Sequence, residues 1–241
     1  MAETKMLYME NMDGVYTKEF DATVVESQGS ECVLDATAFY PEGGGQPSDI
    51  GFLVLPSGER AKVLRVFRKG RVWHSLDKPA PPVGSRVHCI IDWELRHAHM
   101  RMHTAQHIVS GIIYDKYKAR TVGNQIHRDR SRLDFAPFKP SEEILKESEK
   151  LTNDVIAAAI PVDIVFEERA SFEKRSDAMR SNLDLIPPSV RTLRIIKIGS
   201  IDECPCGGTH VRNTSEIGRL TIADTENKGA ERTRVTFELG R

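Results

Sequence analysis

Apolar and polar residues alternate along the amino-terminal third of the chain, in short runs that turn-forming residues interrupt. In Ser85–Asp92, every second residue from Val87 to Ile91 is apolar, and the segment Pro56–Gly58 separates two such runs. The runs that the pattern predicts as strands are Asp21–Glu26, Glu31–Ala38, Gly51–Leu55, Ala61–Arg68, Arg71–Leu76 and Ser85–Asp92. Short strands at this spacing are typical of a small barrel or sandwich.

The pattern takes on the period of a helix at Trp93. Between Trp93 and Lys118, several apolar residues are available for one buried face of a helix: Leu95, Met102, Ile108, Ile112 and Ile113. Beyond this helix the sequence predicts a turn at Gly123 and a strand at Ser131–Phe135. A second helix is expected from the N-cap Ser141 to about Ile160, and a short one at Ser171–Ser181. The remaining predicted elements are strands at Val162–Glu167 and Val190–Ile198 and a hairpin of Gly218–Ala223 and Thr233–Leu239.

These elements predict an α+β class in two parts. We expect a small β-barrel domain at residues 1–92 with a glycine-rich loop, followed by an α+β domain at residues 93–241. In the second domain, helices would pack on an antiparallel sheet.

Composition and charge narrow the classes of function. Hydrophobic residues make up 39% of the chain and charged residues 29%, which is typical of a globular protein. The formal net charge of −1 excludes nucleic-acid binding by bulk charge, so any RNA contact must be local. No apolar run is long enough to span a membrane, and the amino terminus lacks the order of a signal peptide. We therefore expect a cytoplasmic protein.

A histidine pair lies within the predicted helix at His103–His107, whose sequence is HTAQH. Side chains four residues apart share one face of a helix, so both imidazoles can reach one metal ion. Thr104 stands where the usual metalloprotease motif has its glutamate, which argues against a protease. By itself, the pair is as consistent with two surface histidines as with a metal site.

A second candidate ligand pair is Cys206 and His210, within the sequence CGGTH. Three histidines and one thiolate are borderline-soft ligands that suit Zn²⁺, so the two motifs together predict one zinc ion per chain. Cys204 is two residues from Cys206, and we expect it to lie behind the ligands or to be incidental. Four protein ligands would close a tetrahedral site, so either the zinc expands its coordination or one histidine, most simply His210, is a loose ligand.

At these motifs the chain resembles the editing domain of alanyl-tRNA synthetases and, more closely, their freestanding relatives, the AlaX proteins. The resemblance is carried by RMHTAQH at Arg101–His107, RLDF at Arg132–Phe135, CGGTHV at Cys206–Val211, TSEIG at Thr214–Gly218 and FYPEGGGQ at Phe39–Gln46. It covers nearly the whole chain. The barrel, without a long carboxy-terminal extension, resembles the middle class of the family, for which we expect a monomer.

The resemblance implies a zinc-dependent hydrolase that removes a wrong amino acid from tRNA(Ala), mainly serine and secondarily glycine, with no DNA partner and no charging activity. Thr121 matches the family position that contacts the serine hydroxyl, although it could equally be a turn threonine. Gly44 and Gln46 belong to the glycine-rich loop, which either completes the pocket or forms a plain turn. Candidate tRNA contacts are Arg101, Arg132 and Lys228, within a wider set of basic residues that includes Arg96.

Two other functions remain open at this point. An RNA-binding module with a structural zinc would show four tight protein ligands and no exchangeable water. A zinc hydrolase of a small ester would not respond to tRNA. The sequence contains no obvious general base beside the predicted ligands.

Overall fold

The computed structural model describes residues 3–175, 183, 186–229 and 231–240. The chain divides into two compact units, residues 1–99 and 100–241, and the division falls within the long helix that begins at Trp93. Among the described residues, no helix is long and apolar enough to cross a membrane.

The first unit is built around a closed barrel. Its elements are strand β1 (Lys5–Met6), a 3-10 turn (Leu7–Met9), helix α1 (Met12–Val15), and strands β2 (Glu19–Gln28), β3 (Glu31–Leu34), β4 (Ala36–Thr37), β5 (Gly51–Val54), β6 (Arg60–Lys69), β7 (Arg71–Leu76) and β8 (Arg86–Ile91). Six strands close the barrel in the order β2-β3-β7-β6-β5-β8. The alternating apolar residues, among them Val24, Leu53 and Cys89, are buried inside it. The predicted barrel is confirmed.

One predicted strand is split. The run Glu31–Ala38 forms β3 and then β4, with Asp35 between them. The Asp35 carboxylate accepts hydrogen bonds from the backbone N–H groups of Thr23 and Ala36, which turns the chain at this point.

The most deeply buried charge in the first unit is Arg96, whose side chain has no exposed surface. Its guanidinium pairs with the buried carboxylate of Asp49 and donates to the carbonyl oxygens of Val15 and Ala38. The interpretation of Arg96 as an RNA contact is therefore wrong. Its charge is neutralised inside the fold by Asp49, and a buried guanidinium is tolerated there because it is paired and hydrogen-bonded.

The second unit combines helices with two antiparallel sheets. Its elements are helix α2 (Trp93–Tyr117, which contains the division), strands β9 (Arg120–Ile126) and β10 (Arg130–Ala136), helix α3 (Glu142–Ala157), strand β11 (Val162–Glu168), helix α4 (Arg169–Phe172), strands β12 (Thr192–Ile198) and β13 (Asp202–Pro205), a 3-10 turn (Thr214–Glu216), and strands β14 (Leu220–Asn227) and β15 (Thr233–Leu239). One sheet has the order β14-β15-β10-β9 and the other β11-β12-β13. The predicted α+β class is confirmed.

Helix α3 covers the edge of the four-stranded sheet. Ser141 is its N-cap and accepts from the N–H of Ile144, as the sequence predicts. Asn153 exchanges two hydrogen bonds with the backbone of Leu220, and Glu149 accepts from the N–H of Ile222. These side chains satisfy backbone groups of the edge strand β14 that would otherwise face water or another chain.

Two predictions for the second unit need correction, and one lies partly outside the described residues. Gly123 does not mark a turn but lies within β9 opposite Asp134, where an added Cβ would come within 3.2 Å of Asp134 Oδ2. Helix α3 ends at Ala157 rather than near Ile160, and Ala159 adopts a φ of 51°. Of the predicted helix Ser171–Ser181, only residues 171–175 are described, and the helix found there, α4, begins at Arg169 and ends at Phe172.

Candidate metal centre

Helix α2 presents the histidine pair on one face. His103 and His107 are four residues apart, and their ring centroids are separated by 5.2 Å. The ligand atoms of His103, His107, Cys206 and His210 all lie within 4.8 Å of one another. The structure thus brings together the four residues that the sequence pairs in two separate motifs.

Strand β12 holds the loop that carries the other two ligands. The backbone N–H of Cys206 donates to the carbonyl of Arg194 at 3.0 Å, and Arg194 Nη1 donates back to the carbonyl of Cys206 at 2.6 Å. Cys206 Sγ then lies 3.5 Å from His103 Nε2 and 3.4 Å from His210 Nε2. The N–H of Gly208 also points at this sulfur, at 3.3 Å.

Thr104 joins the helix to this loop. Its hydroxyl donates to the carbonyl of Met100 at 2.9 Å and accepts from the N–H of Val211 at 3.1 Å. It also lies 3.2 Å from His210 Nδ1. Because the single hydroxyl proton serves Met100, Nδ1 of His210 is the donor in this last contact, which leaves Nε2 with a lone pair facing the sulfur.

Asp202 stands behind His107 and was not anticipated from the sequence. Its Oδ2 lies 2.5 Å from His107 Nδ1, and its side chain is almost fully buried. Cys204 donates from Sγ to the other carboxylate oxygen at 3.3 Å. The only sequence signal was an acidic residue four positions before Cys206, which does not by itself indicate a partner on helix α2.

The electrostatics of the cluster favour the thiolate of Cys206 and the neutral imidazole of His210, which are the forms in which these groups bind a metal ion. Burial favours the neutral thiol of Cys206, but His103 and His210 outweigh it and hold the pKa of Cys206 well below its usual range. Burial holds the pKa of His210 well below that of free histidine, with His103 acting in the same direction. Burial also disfavours a charge on His107, yet the attraction of Asp202 outweighs it and raises the pKa of His107 to about 10.

This donor set fits a borderline-soft divalent ion. Three imidazoles and a thiolate that converge on one point are ligands that Zn²⁺ accepts, and two of the imidazoles have hydrogen-bond partners on the nitrogen away from the cluster. The arrangement can hold a metal ion and, with it, polarise a carbonyl or a water molecule.

Thr121 lies beside the ligand-bearing face of α2. It is the second residue of β9, and its hydroxyl is 2.8 Å from that of Ser110. Ser110 is three residues beyond His107, so it shares that face of the helix. Two hydroxyl groups therefore meet where the sequence predicts one.

The glycine-rich loop belongs to the first unit and forms a tight hairpin turn. Gly43 and Gln46 exchange backbone hydrogen bonds at 3.1 and 2.9 Å, and Gly44 and Gly45 have φ values of 56° and 84°. Two consecutive positive φ angles are typical of a type I′ turn, which glycine adopts without strain. Gln46 is buried, whereas Gly44 is exposed at the tip.

The three candidate tRNA contacts have different surroundings. The half-buried guanidinium of Arg101 donates to the carbonyls of Ile217 and Gly240, at 2.7 and 2.5 Å, and so ties the chain end to the helix. Arg132 lies on β10 on the face opposite the core residue Leu133. Lys228 pairs with Glu226 at 2.6 Å near the tip of the terminal hairpin.

Two family descriptions match the chain. Residues 193–236 match the second additional domain of threonyl- and alanyl-tRNA synthetases, and this match contains Cys206 and His210. Residues 3–95 match class II (A) tRNA synthetases and span the barrel.

Full-length relatives give a closer comparison. The alanyl-tRNA editing protein AlaX-M of Methanosarcina barkeri is 38% identical over 231 residues, which cover 93% of this chain and 95% of the relative. The protein of the same name from Saccharolobus solfataricus is 37% identical, covering 98% and 99%. Alanine–tRNA ligase of Thermococcus kodakarensis is 37% identical across the whole chain, which matches 26% of the ligase.

Proposed function

Because the chain belongs to the AlaX family of alanyl-tRNA editing proteins, we propose that it is a trans-editing hydrolase of mischarged tRNA(Ala). Its main substrate would be Ser-tRNA(Ala), with Gly-tRNA(Ala) as a second one. The observation that carries the proposal is the convergence of three histidines and a cysteine within 4.8 Å, in a chain that matches editing proteins along nearly all of its length.

His103, His107, Cys206 and His210 would hold one Zn²⁺ ion. When bound, the ion would supply Lewis-acid stabilisation at the ester carbonyl or at the attacking water. The chain itself orients the ligands: Thr104 fixes the ring of His210, and strand β12 fixes the backbone of Cys206. Such preorganisation is what a catalytic metal site requires, since small displacements of the ligands would be costly.

Discrimination between serine and alanine would rest on a hydroxyl group. The paired hydroxyls of Ser110 and Thr121 can form further hydrogen bonds to the side-chain hydroxyl of a seryl ester, and an alanyl ester offers them no such group. A site that hydrogen-bonds a substrate hydroxyl selects against an analogue that lacks it, because the hydrogen bonds to that hydroxyl are then not formed. This supports Thr121 as a specificity residue, with Ser110 as its partner.

Local basic residues, with Arg132 and Lys228 as the candidates, would position the tRNA backbone. Arg101 is a weaker candidate because its guanidinium already donates to two carbonyl oxygens.

A second function is favoured by one observation. Four protein ligands that lie this close together would complete a tetrahedral shell, which is typical of a structural zinc. The chain would then be an RNA-binding module without hydrolytic activity.

Deacylation of Ser-, Gly- and Ala-tRNA(Ala) distinguishes these functions. We expect loss of serine at a rate well above that of alanine, abolished by His103→Ala and unchanged by His88→Ala, a substitution of an exposed histidine on the barrel. Hydrolysis of none of the three esters by a folded, zinc-loaded protein would favour the binding module.

A further inference from the structure

We propose that Asp202 is a positioning residue, which sets the tautomer and the orientation of His107 at the metal centre, and that Cys204 supports it. The inference rests on the metal centre of the proposed function.

The contact between Asp202 and His107 determines which imidazole nitrogen is available. Asp202 Oδ2 lies 2.5 Å from His107 Nδ1, and a carboxylate can only accept a hydrogen bond. Nδ1 therefore carries a proton, and Nε2 faces the cluster, where a bound metal ion would take the place of the proton that the raised pKa of His107 otherwise keeps on the ring. A carboxylate behind a ligating histidine is a common arrangement, which fixes the ring and increases its strength as a ligand.

The carboxylate is itself held rigidly. Strand β13 pairs with β12, with Asp202 opposite Ile198 and Cys204 opposite Ile196, so the backbone on both sides of residue 203 is fixed by the sheet. Residues two apart in a strand point to the same face, which brings the Cys204 thiol to Asp202 Oδ1 at 3.3 Å. Each oxygen of the Asp202 carboxylate thus accepts from an identified donor: Oδ1 from the Cys204 thiol and Oδ2 from Nδ1 of the ligand His107.

The burial of Asp202 and His107 strengthens the hydrogen bond between them. The side chains of Asp202 and His107 are 1% and 13% exposed, so water competes little for their hydrogen bond. Asp202, which contacts His107, and Cys204, which contacts Asp202, lie on strand β13, whereas His107 lies on helix α2. Replacing Asp202 should therefore change metal binding without removing any ligand.

The test is the affinity for Zn²⁺ of Asp202→Asn and Asp202→Ala, measured by competition with a chelator. Asparagine keeps an acceptor but loses the charge, whereas alanine loses both. We expect affinity to fall about 10- to 100-fold, more for alanine than for asparagine. Asp163→Asn is the matched control, because it removes an exposed carboxylate from the same sheet, and its affinity should equal that of the unmodified protein.

A purely structural role of Asp202 predicts a different result. The thermal unfolding temperature would then fall while the Zn²⁺ affinity and the visible spectrum of the Co²⁺-loaded protein stayed unchanged, and the proposal would be overturned. We expect instead an altered Co²⁺ spectrum, because the ring of His107 is no longer held.

A coupling test keeps the proposal falsifiable if Asp202→Ala unfolds. In a His107→Ala background, Asp202→Asn should cause no further loss of affinity, whereas additive losses would overturn the proposal. Cys204→Ser, which keeps a donor, should bind Zn²⁺ more tightly than Cys204→Ala. If the unmodified protein binds metal but these variants match it, only this inference fails; if it binds no metal, the proposed zinc centre fails with it.

Discussion

The hydroxyl of Thr104 lies 3.2 Å from Nδ1 of His210, and this contact joins the two ligand motifs across 106 residues of sequence. The same hydroxyl accepts from the N–H of Val211 and donates to the carbonyl of Met100. Thr104 occupies the position that a metalloprotease gives to its catalytic glutamate. Here the position serves to hold a ligand loop against the helix.

Replacing Thr104 by valine should weaken both the fold and the metal site. The isosteric change leaves the N–H of Val211 and the Nδ1–H of His210 buried without that partner, at a cost of roughly 1–3 kcal/mol for each unpaired group. Urea unfolding would measure the loss of stability, and chelator competition the loss of Zn²⁺ affinity. Thr104→Ser retains the hydroxyl and should stay close to the unmodified protein; equal losses in both variants would argue against the hydrogen bonds.

Thr121→Val should slow the removal of serine and leave the rejection of alanine intact. The variant loses one hydroxyl of the Ser110–Thr121 pair, and a single hydrogen bond of about 1 kcal/mol corresponds to a rate change of roughly five- to tenfold. Single-turnover deacylation of Ser-tRNA(Ala) is the measurement. Ser110→Ala should have an effect that is not additive with it, and an unchanged serine rate in Thr121→Val would remove Thr121 from the account.

Gly44 offers a test of the hairpin loop. Nothing lies within 4 Å of the Cβ that a side chain would add, but the φ of 56° disfavours β-branched residues. Gly44→Val should therefore destabilise the turn, whereas Gly44→Asn should fold, because asparagine tolerates this conformation. If the backbone of the loop approaches the tRNA end, the folded Asn variant should still lose turnover. Normal turnover in Gly44→Asn would indicate a plain turn.

The buried His74 in the barrel predicts a pH dependence of stability. Its Nδ1 faces the carbonyl of Cys32 and its Nε2 the hydroxyl of Thr37, and burial lowers the pKa of His74 to about 4. An unfolded histidine titrates near 6.5, so below that pH the unfolded state binds the extra proton. Stability from this group is present above pH ~6.5 and falls by roughly 3 kcal/mol in total as the pH drops to about 4.

The variant His74→Gln isolates this contribution. Glutamine keeps a donor and an acceptor but does not titrate, so its free energy of unfolding should depend less steeply on pH between ~6.5 and ~4. Urea unfolding followed by tryptophan fluorescence would give both curves. Parallel curves for the two proteins would contradict a buried neutral His74.

The sequence was sufficient for the parts of the site that depend on local periodicity. The spacing of His103 and His107 places them together on any helix, and the barrel follows from the alternation that buries residues such as Val87 and Cys89. The convergence of Cys206 and His210 on the same point was predicted from ligand chemistry rather than from packing.

What could not be predicted depends on pairings between distant segments. Asp202 reaches His107 only because β13 pairs with β12, and that register is not encoded in local sequence. Arg96 was assigned to the surface because charged residues usually lie there, whereas the partner that buries it, Asp49, is 47 positions away. The sequence predicts a turn at Gly123 because glycine is common in turns. In the structure this glycine lies in a strand, where its missing side chain leaves room for the carboxylate of Asp134 on the neighbouring strand. The sequence alone does not distinguish these two uses of a glycine.

The most direct test of the account is the rate of Ser-tRNA(Ala) deacylation as a function of zinc content. Zinc would be removed with a chelator and restored in steps, with Cys206→Ala as the ligand variant and circular dichroism as the check of folding. The account predicts a rate that rises in proportion to zinc up to one ion per chain, and no hydrolysis by the folded Cys206→Ala protein. Full activity in protein without detectable zinc would contradict it.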